Sequence, residues 1–129
     1  MIALFAMDDK HFAHFDTLVK ELSRSGLRLL TTWPCVGEAC HILNVPQRLE
    51  LLRWLELGGA VVYSFEITHL PDMIRRMRKY SEFGKREMDF ADASLVWLAE
   101  ETEVTDILTV NVADFTRYRL SDGRSFHIL

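Results

Sequence analysis

The 129-residue sequence contains only two cysteines, Cys35 and Cys40, too few for a disulfide framework, which excludes a small cross-linked secreted scaffold. It has three prolines and six glycines, and no Pro/Gly-rich linker. No apolar run approaches the ~20 residues that span a bilayer. Residues 1–7 are apolar, but no positive residue precedes them and Asp8-Asp9 come at once after them, so they do not read as a signal peptide. Internal repeats, low-complexity tracts and a Gly-rich phosphate loop are also lacking. Positive charge is in short supply: 15 basic residues face 19 acidic ones, a net charge of −4, which argues against a strongly basic nucleic-acid binder. These absences predict a single domain over residues 1–129, in the cytoplasm and away from membranes.

What is present is globular composition, 49% hydrophobic and 26% charged. A chain of this size buries roughly two thirds of its unfolded surface, enough for a real core. The charge is uneven. Residues 72–87 hold six basic side chains (Arg75, Arg76, Arg78, Lys79, Lys85, Arg86) against three acidic ones, so this strip carries +3 and the remainder −7. An acidic body with a basic strip is compatible with a polyanionic partner.

Hydrophobic spacing predicts alternating elements. Asp8 or Asp9 caps a helix carrying Phe12, Phe15, Leu18, Val19 and Leu22, which Gly26 ends. Residues 27–32 suit a strand. Pro34 opens a helix over 34–44, and Pro46 opens another with Leu49, Leu52, Leu55 and Trp54 inward, stopped by Gly58-Gly59. A buried strand comes next, over 60–65. Leu70–Ser81 is an amphipathic helix with Met73, Ile74 and Met77 inside and its arginines outside. A very apolar helix over 89–101, a strand over 106–110, a helical turn over 114–118 and a last strand over 126–129 complete the pattern. Strands alternating with helices predict an α/β sandwich with a mainly parallel sheet, in which functional groups gather at the carboxyl ends of the strands.

Several carboxylates stand where burial is expected. Glu38 lies among Val36, Ala39, Ile42 and Leu43; Asp92 is flanked by Phe90, Ala91, Ala93, Leu95 and Val96, with Asp89 three residues away on the same helix face. A buried unpaired charge is expensive, so each needs compensation. Asp114 comes after the 106–110 strand, with Asn111 beside it. Acids converging at one sheet edge would make a hard-oxygen site suited to Mg²⁺ or Mn²⁺. The competing reading gives Asp89 and Asp114 the ordinary work of capping a helix and a turn.

Three blocks carry a resemblance. They are Thr31-Thr32-Trp33-Pro34 through Glu38-Ala39-Cys40-His41-Ile42-Leu43, then Met88-Asp89-Phe90-Ala91-Asp92-Ala93-Ser94-Leu95, then Ile107-Leu108-Thr109-Val110-Asn111-Val112-Ala113-Asp114-Phe115 with Tyr118-Arg119 after it. In order and spacing they resemble PIN-domain proteins, most of all the toxin-type (VapC-like) ribonucleases of toxin–antitoxin pairs. The resemblance implies a three-layer α/β/α sandwich around a central parallel sheet. It implies a metal-dependent endoribonuclease that hydrolyses RNA phosphodiesters, with Glu38, Asp92 and Asp114 as catalytic metal ligands and Asp89 as an accompanying acid. Asn111 and Thr109 would be polar support, and Mg²⁺ or Mn²⁺ the cofactor. RNA, a small antitoxin protein and a second copy in a homodimer would be the partners. The chain departs from the pattern at its N-terminus. Family members begin with a strand ending in an aspartate, and the segment Ile2-Ala3-Leu4-Phe5 matches the stretch just after that strand. The resemblance therefore implies a domain short of its first strand and first acid, unless residues 1–5 or a second chain supplies the strand. The alternative it leaves is a catalytically degenerate PIN-like module that binds RNA or protein.

The remaining candidates are weaker. His11, His14, His41, His69 and His127 show no shared metal spacing, and Cys35 and Cys40 read as small buried hydrophobes. Arg75, Arg76, Arg78 and Lys79 read first as a solvated helix face and second as an RNA-phosphate rim that Arg117, Arg119 and Arg124 could join. Trp33, Trp54 and Trp97 read as core or interface. The Phe12/Phe15 face or the Leu51/Leu52/Leu55 face would serve a homodimer.

Overall fold

The computed structural model describes residues 2–5 (by their backbone path), 17, 20–21, 24–81, 86–109 and 111–129. Five strands, β1 (Ile2–Phe5), β2 (Arg28–Thr32), β3 (Val61–Tyr63), β4 (Asp106–Leu108) and β5 (His127–Ile128), form one sheet in the order β3-β2-β1-β4-β5, and every pairing is parallel. Among the described residues, the helices traced in full are α1 (Trp33–Ile42), α2 (Val45–Glu56), α3 (Leu70–Ser81), α4 (Phe90–Thr102) and α5 (Val112–Arg117). The protein is therefore mixed α/β with a parallel sheet, as the alternating pattern predicts.

Of the alternatives the sequence left for the central strand, residues 2–5 supply it. Ile2–Phe5 occupies the centre, with Ala3 opposite Leu29 on one side and Phe5 opposite Leu108 on the other. Four consecutive apolar residues suit a strand bonded along both edges. The helix expected from Asp8 onward lies largely outside the described residues, as do Phe12, Phe15, His11 and His14. Thr17, Lys20, Glu21 and Arg24 are helical, and Gly26 ends that segment at φ +69°.

Strand alternation sorts the core into two clusters on opposite faces of the sheet. Leu30 and Ile107 point into one with Met73, Leu95, Leu98, Phe115 and Tyr118. Leu29 and Leu108 point into the other with Ala39, Leu43, Leu51 and Ala60. Helix α4 is apolar all round, and its residues from Ala91 to Ala99 are buried without a break. It packs on β1, β2, α1 and α3.

Three helix and strand expectations change. On α2, Leu51 faces inward, with Trp54 and Leu55 half-buried, whereas Leu49 is 61% exposed and Leu52 also faces out. Leucines at 49, 51, 52 and 55 fit more than one helical phase, so spacing alone cannot choose. On α3, Met73 is buried but Ile74 faces out. The 60–65 segment is a short, half-exposed edge strand rather than a buried one, since among the described residues nothing pairs beyond β3. Trp97 and Cys35 are in the core as expected, Cys40 is half-buried and Trp33 is exposed.

Gly59 closes the turn after α2, and its N–H donates to the Trp54 carbonyl at 2.9 Å. A Cβ there would stand 2.0 Å from the Trp54 ring. Gly59→Ala is expected to cost ~1–3 kcal/mol by overpacking, seen as a lower denaturant midpoint. An unchanged midpoint would show that Trp54 is not held against this turn.

Candidate functional site

The strand order reverses between β1 and β4, because the chain steps from β1 through β2 to β3 and then returns to the far side of β1. In open parallel sheets, ligands bind at the carboxyl ends of the strands beside such a switch point. Helix α1 comes directly after β2 and α5 after β4, so both start at that edge. Helix α4 leads into the amino end of β4, so its own first turn lies at the carboxyl edge too.

The polar anchors of this edge are buried. Thr32, the last residue of β2, hydrogen-bonds Ser94 on α4 at 2.6 Å and donates to the Cys35 thiol on α1 at 3.2 Å. Ser94 Oγ in turn donates to the Ala91 carbonyl at 2.6 Å. This knot ties the first turns of α1 and α4 to the sheet. Burial pushes the Cys35 thiol up to about 11, opposed by hydrogen bonds from Thr32 and Ser94, so it stays protonated and inert.

The four expected acids stand around this knot. Asp89 caps α4, its Oδ1 accepting the Asp92 N–H at 2.7 Å, so the capping role read from the sequence holds. Asp92 is 7% exposed, and its Oδ2 accepts a 2.9 Å hydrogen bond from the buried Tyr118 hydroxyl. Burial, then the charge of Asp89, push its carboxyl up to about 7; Asp114 and Glu38 add to the rise and Tyr118 opposes it. Glu38 departs from the burial its apolar neighbours predict, and stands on the exposed side of α1 while Val36 and Ala39 face in. Partial desolvation, then the charge of Asp89 and a hydrogen bond with its carboxyl, raise Glu38 above the ordinary carboxylate range. Asp114 lies in the first turn of α5, whose N-cap residue is Asn111, so it does not cap that turn. Thr109 Oγ1 accepts the Asn111 N–H at 3.0 Å, so both support residues shape the turn after β4. The structure thus brings Glu38, Asp89 and Asp114 within electrostatic reach of Asp92.

One carboxylate oxygen is poorly served. Asp114 Oδ1 is shielded from solvent and has no hydrogen-bond donor among the described residues. Arg117 Nη2 comes within 3.6 Å and Arg86 Nη1 within 3.9 Å, near enough for charge but not for a hydrogen bond. Among the described residues, no three His, Cys, Asp or Glu side chains are grouped closely enough to hold one ion. A magnesium ion is commonly held by one or two carboxylates and keeps its waters. Burial, then repulsion among the acids, raises Asp92 and Glu38, and Asp114 Oδ1 lacks a donor among the described residues; a divalent cation is a group that would relieve both.

The basic strip divides. Arg75 pairs with Asp72 on the surface, and Arg78 and Lys79 are only partly covered. Arg76 leaves the expected rim: its side chain is 14% exposed and donates to Glu100 Oε1 and Ser121 Oγ, each at 2.7 Å. His69 and His127 pair with Glu101 and Asp106, away from the acids.

Tyr118 enters the sequence reading only as part of a motif, with no role of its own. The signal that points to it is an aromatic residue four positions after Asp114, one turn along the chain. Tyr118→Phe removes a hydrogen bond to a buried carboxylate and is expected to cost ~1.5–3 kcal/mol at pH 8, read by denaturant titration. A loss near zero would mean that the hydroxyl and Asp92 are not partners in solution. Compared with protein-family models and with curated proteins, the chain matches none.

Proposed function

We propose that this chain is a PIN-type endoribonuclease of the toxin–antitoxin kind, dependent on Mg²⁺ or Mn²⁺, built as a three-layer α/β/α sandwich. The observation that carries the reading is the gathering of Glu38, Asp89, Asp92 and Asp114 at the carboxyl edge of a parallel sheet, beside the switch point between β1 and β4. Apolar clusters on both faces of that sheet support the layered architecture.

Asp92 and Asp114 would hold the ion, with Glu38 at the open rim and Asp89 fixing the first turn of α4. The bound ion supplies charge neutralisation at a phosphodiester oxygen and an activated water. Tyr118 ties one carboxylate oxygen of Asp92, which would leave the other for the ion. Arg75, Arg78 and Lys79 would meet RNA phosphates, which position a strand without reading its sequence.

The experiment is cleavage of single-stranded RNA by this chain with Mg²⁺, with Mn²⁺ and with EDTA. Metal-dependent cleavage is the expected result. RNA or protein binding without cleavage under any of these conditions would favour the degenerate module. That second reading has one structural observation behind it: Val45, Leu49 and Leu52 form an exposed apolar stripe on α2, a face suited to an antitoxin or a second copy.

A further inference from the structure

We infer that Arg86 and Arg117 stand in for the divalent cation at Asp114, and that they exchange with it and turn to the RNA phosphate when the ion binds. The inference rests on the metal-dependent reading above and concerns how this chain manages the same site without its ion.

The geometry of Asp114 is the starting point. Its Oδ1 is buried and accepts no hydrogen bond from the described residues, yet two guanidinium groups approach it at 3.6 and 3.9 Å. A permanent structural pair would be closer: Arg76 and Glu100 meet at 2.7 Å with good hydrogen-bond geometry. Arg86 and Arg117 neutralise charge without satisfying the oxygen. Together they bring two positive charges, the same as one divalent ion.

Both arginines are also able to leave. Arg86 is more than half exposed, and Asp114 is the one ion-pair partner that the described residues give it. Arg117 rests on an aromatic platform, its guanidinium 5.7 Å from the Tyr80 ring centroid and 5.4 Å from that of Tyr118. Its two terminal nitrogens reach the Tyr80 carbonyl only at 3.4 Å. Stacking of this kind holds a guanidinium plane beside the site while leaving its donors loosely engaged, and a fork of loosely held donors suits a phosphate. Tyr118 thereby touches both sides of the exchange, bonding Asp92 through its hydroxyl and supporting Arg117 with its ring.

The test is Mn²⁺ binding, measured by calorimetry and by electron paramagnetic resonance, in the wild-type chain and in Arg86→Gln, Arg117→Gln and Arg117→Lys. Removing one competing charge near the ion should tighten Mn²⁺ binding about tenfold in either Gln variant, while the Lys variant stays near wild type. Arg117→Gln loses its ring contacts and could fold poorly; Arg86→Gln carries the same expectation with little structural cost. With Ca²⁺ present, binding of a short single-stranded RNA should weaken in both Gln variants, and its salt slope should shrink by about 0.7 per arginine removed. Mn²⁺ binding in the wild type that is unchanged or weaker in both Gln variants would overturn the exchange and leave the metal site standing. No Mn²⁺ binding in any of the four proteins would overturn the metal site, and the exchange with it.

Discussion

Asp92→Asn is expected to abolish RNA cleavage while raising the melting temperature of the metal-free protein at pH 8. The two effects have one cause. Asp92 is a buried carboxyl surrounded by the charges of Asp89, Asp114 and Glu38, and burial together with that repulsion raises it to about 7. At pH 8 the folded chain must carry a desolvated charge there without a cation to offset it. Asparagine has the same shape and no charge, and its carbonyl oxygen can still accept the Tyr118 hydroxyl. Removing an uncompensated buried charge commonly gains ~1–3 kcal/mol, which for a domain of this size moves Tm by several degrees. For function the same change removes a proposed ligand of the ion. A bound cation contributes several kcal/mol of charge stabilisation in phosphodiester hydrolysis, so a loss of at least ~10²-fold in rate is expected. Cleavage assays and thermal melts on the two proteins check both arms. A variant that cleaves at the wild-type rate would remove Asp92 from the site. A variant that melts lower at pH 8 would show that its charge is already compensated.

Such opposition between stability and activity explains which parts of the molecule are legible in its sequence. The α/β class and the approximate places of β2, α1, α3, α4 and β4 come from hydrophobic period and from caps such as Asp89, because these are local properties of the chain. Where the local signal is degenerate, sequence and structure part. The leucines of α2 offer several helical phases, and only the tertiary fit of Leu51 beside Ala39 and Ala60 selects one. Glu38 sits among apolar residues in sequence but on the open side of its helix in space. The central strand Ile2–Phe5 matches a different position in the resemblance, and its place between β2 and β4 depends on long-range pairing that no local pattern encodes. The site divides in the same way. Its acids are legible because a charge inside an apolar run is conspicuous. Tyr118, Thr32, Ser94 and the approach of Arg86 to Asp114 are not, because the hydrogen-bonded groups take their roles from contacts across 26 to 62 positions, and Arg86 meets α5 from a loop distant in sequence.

Stability of the metal-free chain is expected to fall as pH rises from about 4 to about 7, opposite to the usual behaviour of a protein rich in paired carboxylates. The sign comes from Asp92. Its folded value of about 7 lies above the 3.8 of an unperturbed aspartate, so the folded state binds more protons than the unfolded state between those limits. The associated stability is complete below the unfolded value and is lost as pH climbs through the folded one. Glu38, also raised, acts in the same direction. Glu100 acts oppositely, held low by Ser121 and Arg76 against the pull of burial, but its contribution is lost only on acidification below the ordinary glutamate range of about 4.5. The Cys35 thiol and the Tyr118 hydroxyl, both pushed up by burial, titrate above this window. Divalent cation should reverse the trend, since the ion binds the deprotonated carboxylates and its affinity grows with pH. At a concentration 100 times its Kd, Mn²⁺ adds ~2.7 kcal/mol. Melting curves from pH 5 to pH 8.5, in EDTA and in saturating Mn²⁺, should therefore slope in opposite directions, and the Asp92→Asn curve in EDTA should fall less steeply than that of the wild type. A wild-type curve in EDTA that rises with pH across this range would mean that Asp92 is ionised and paired in the folded chain, and that its carboxylate has no deficit for a cation to fill.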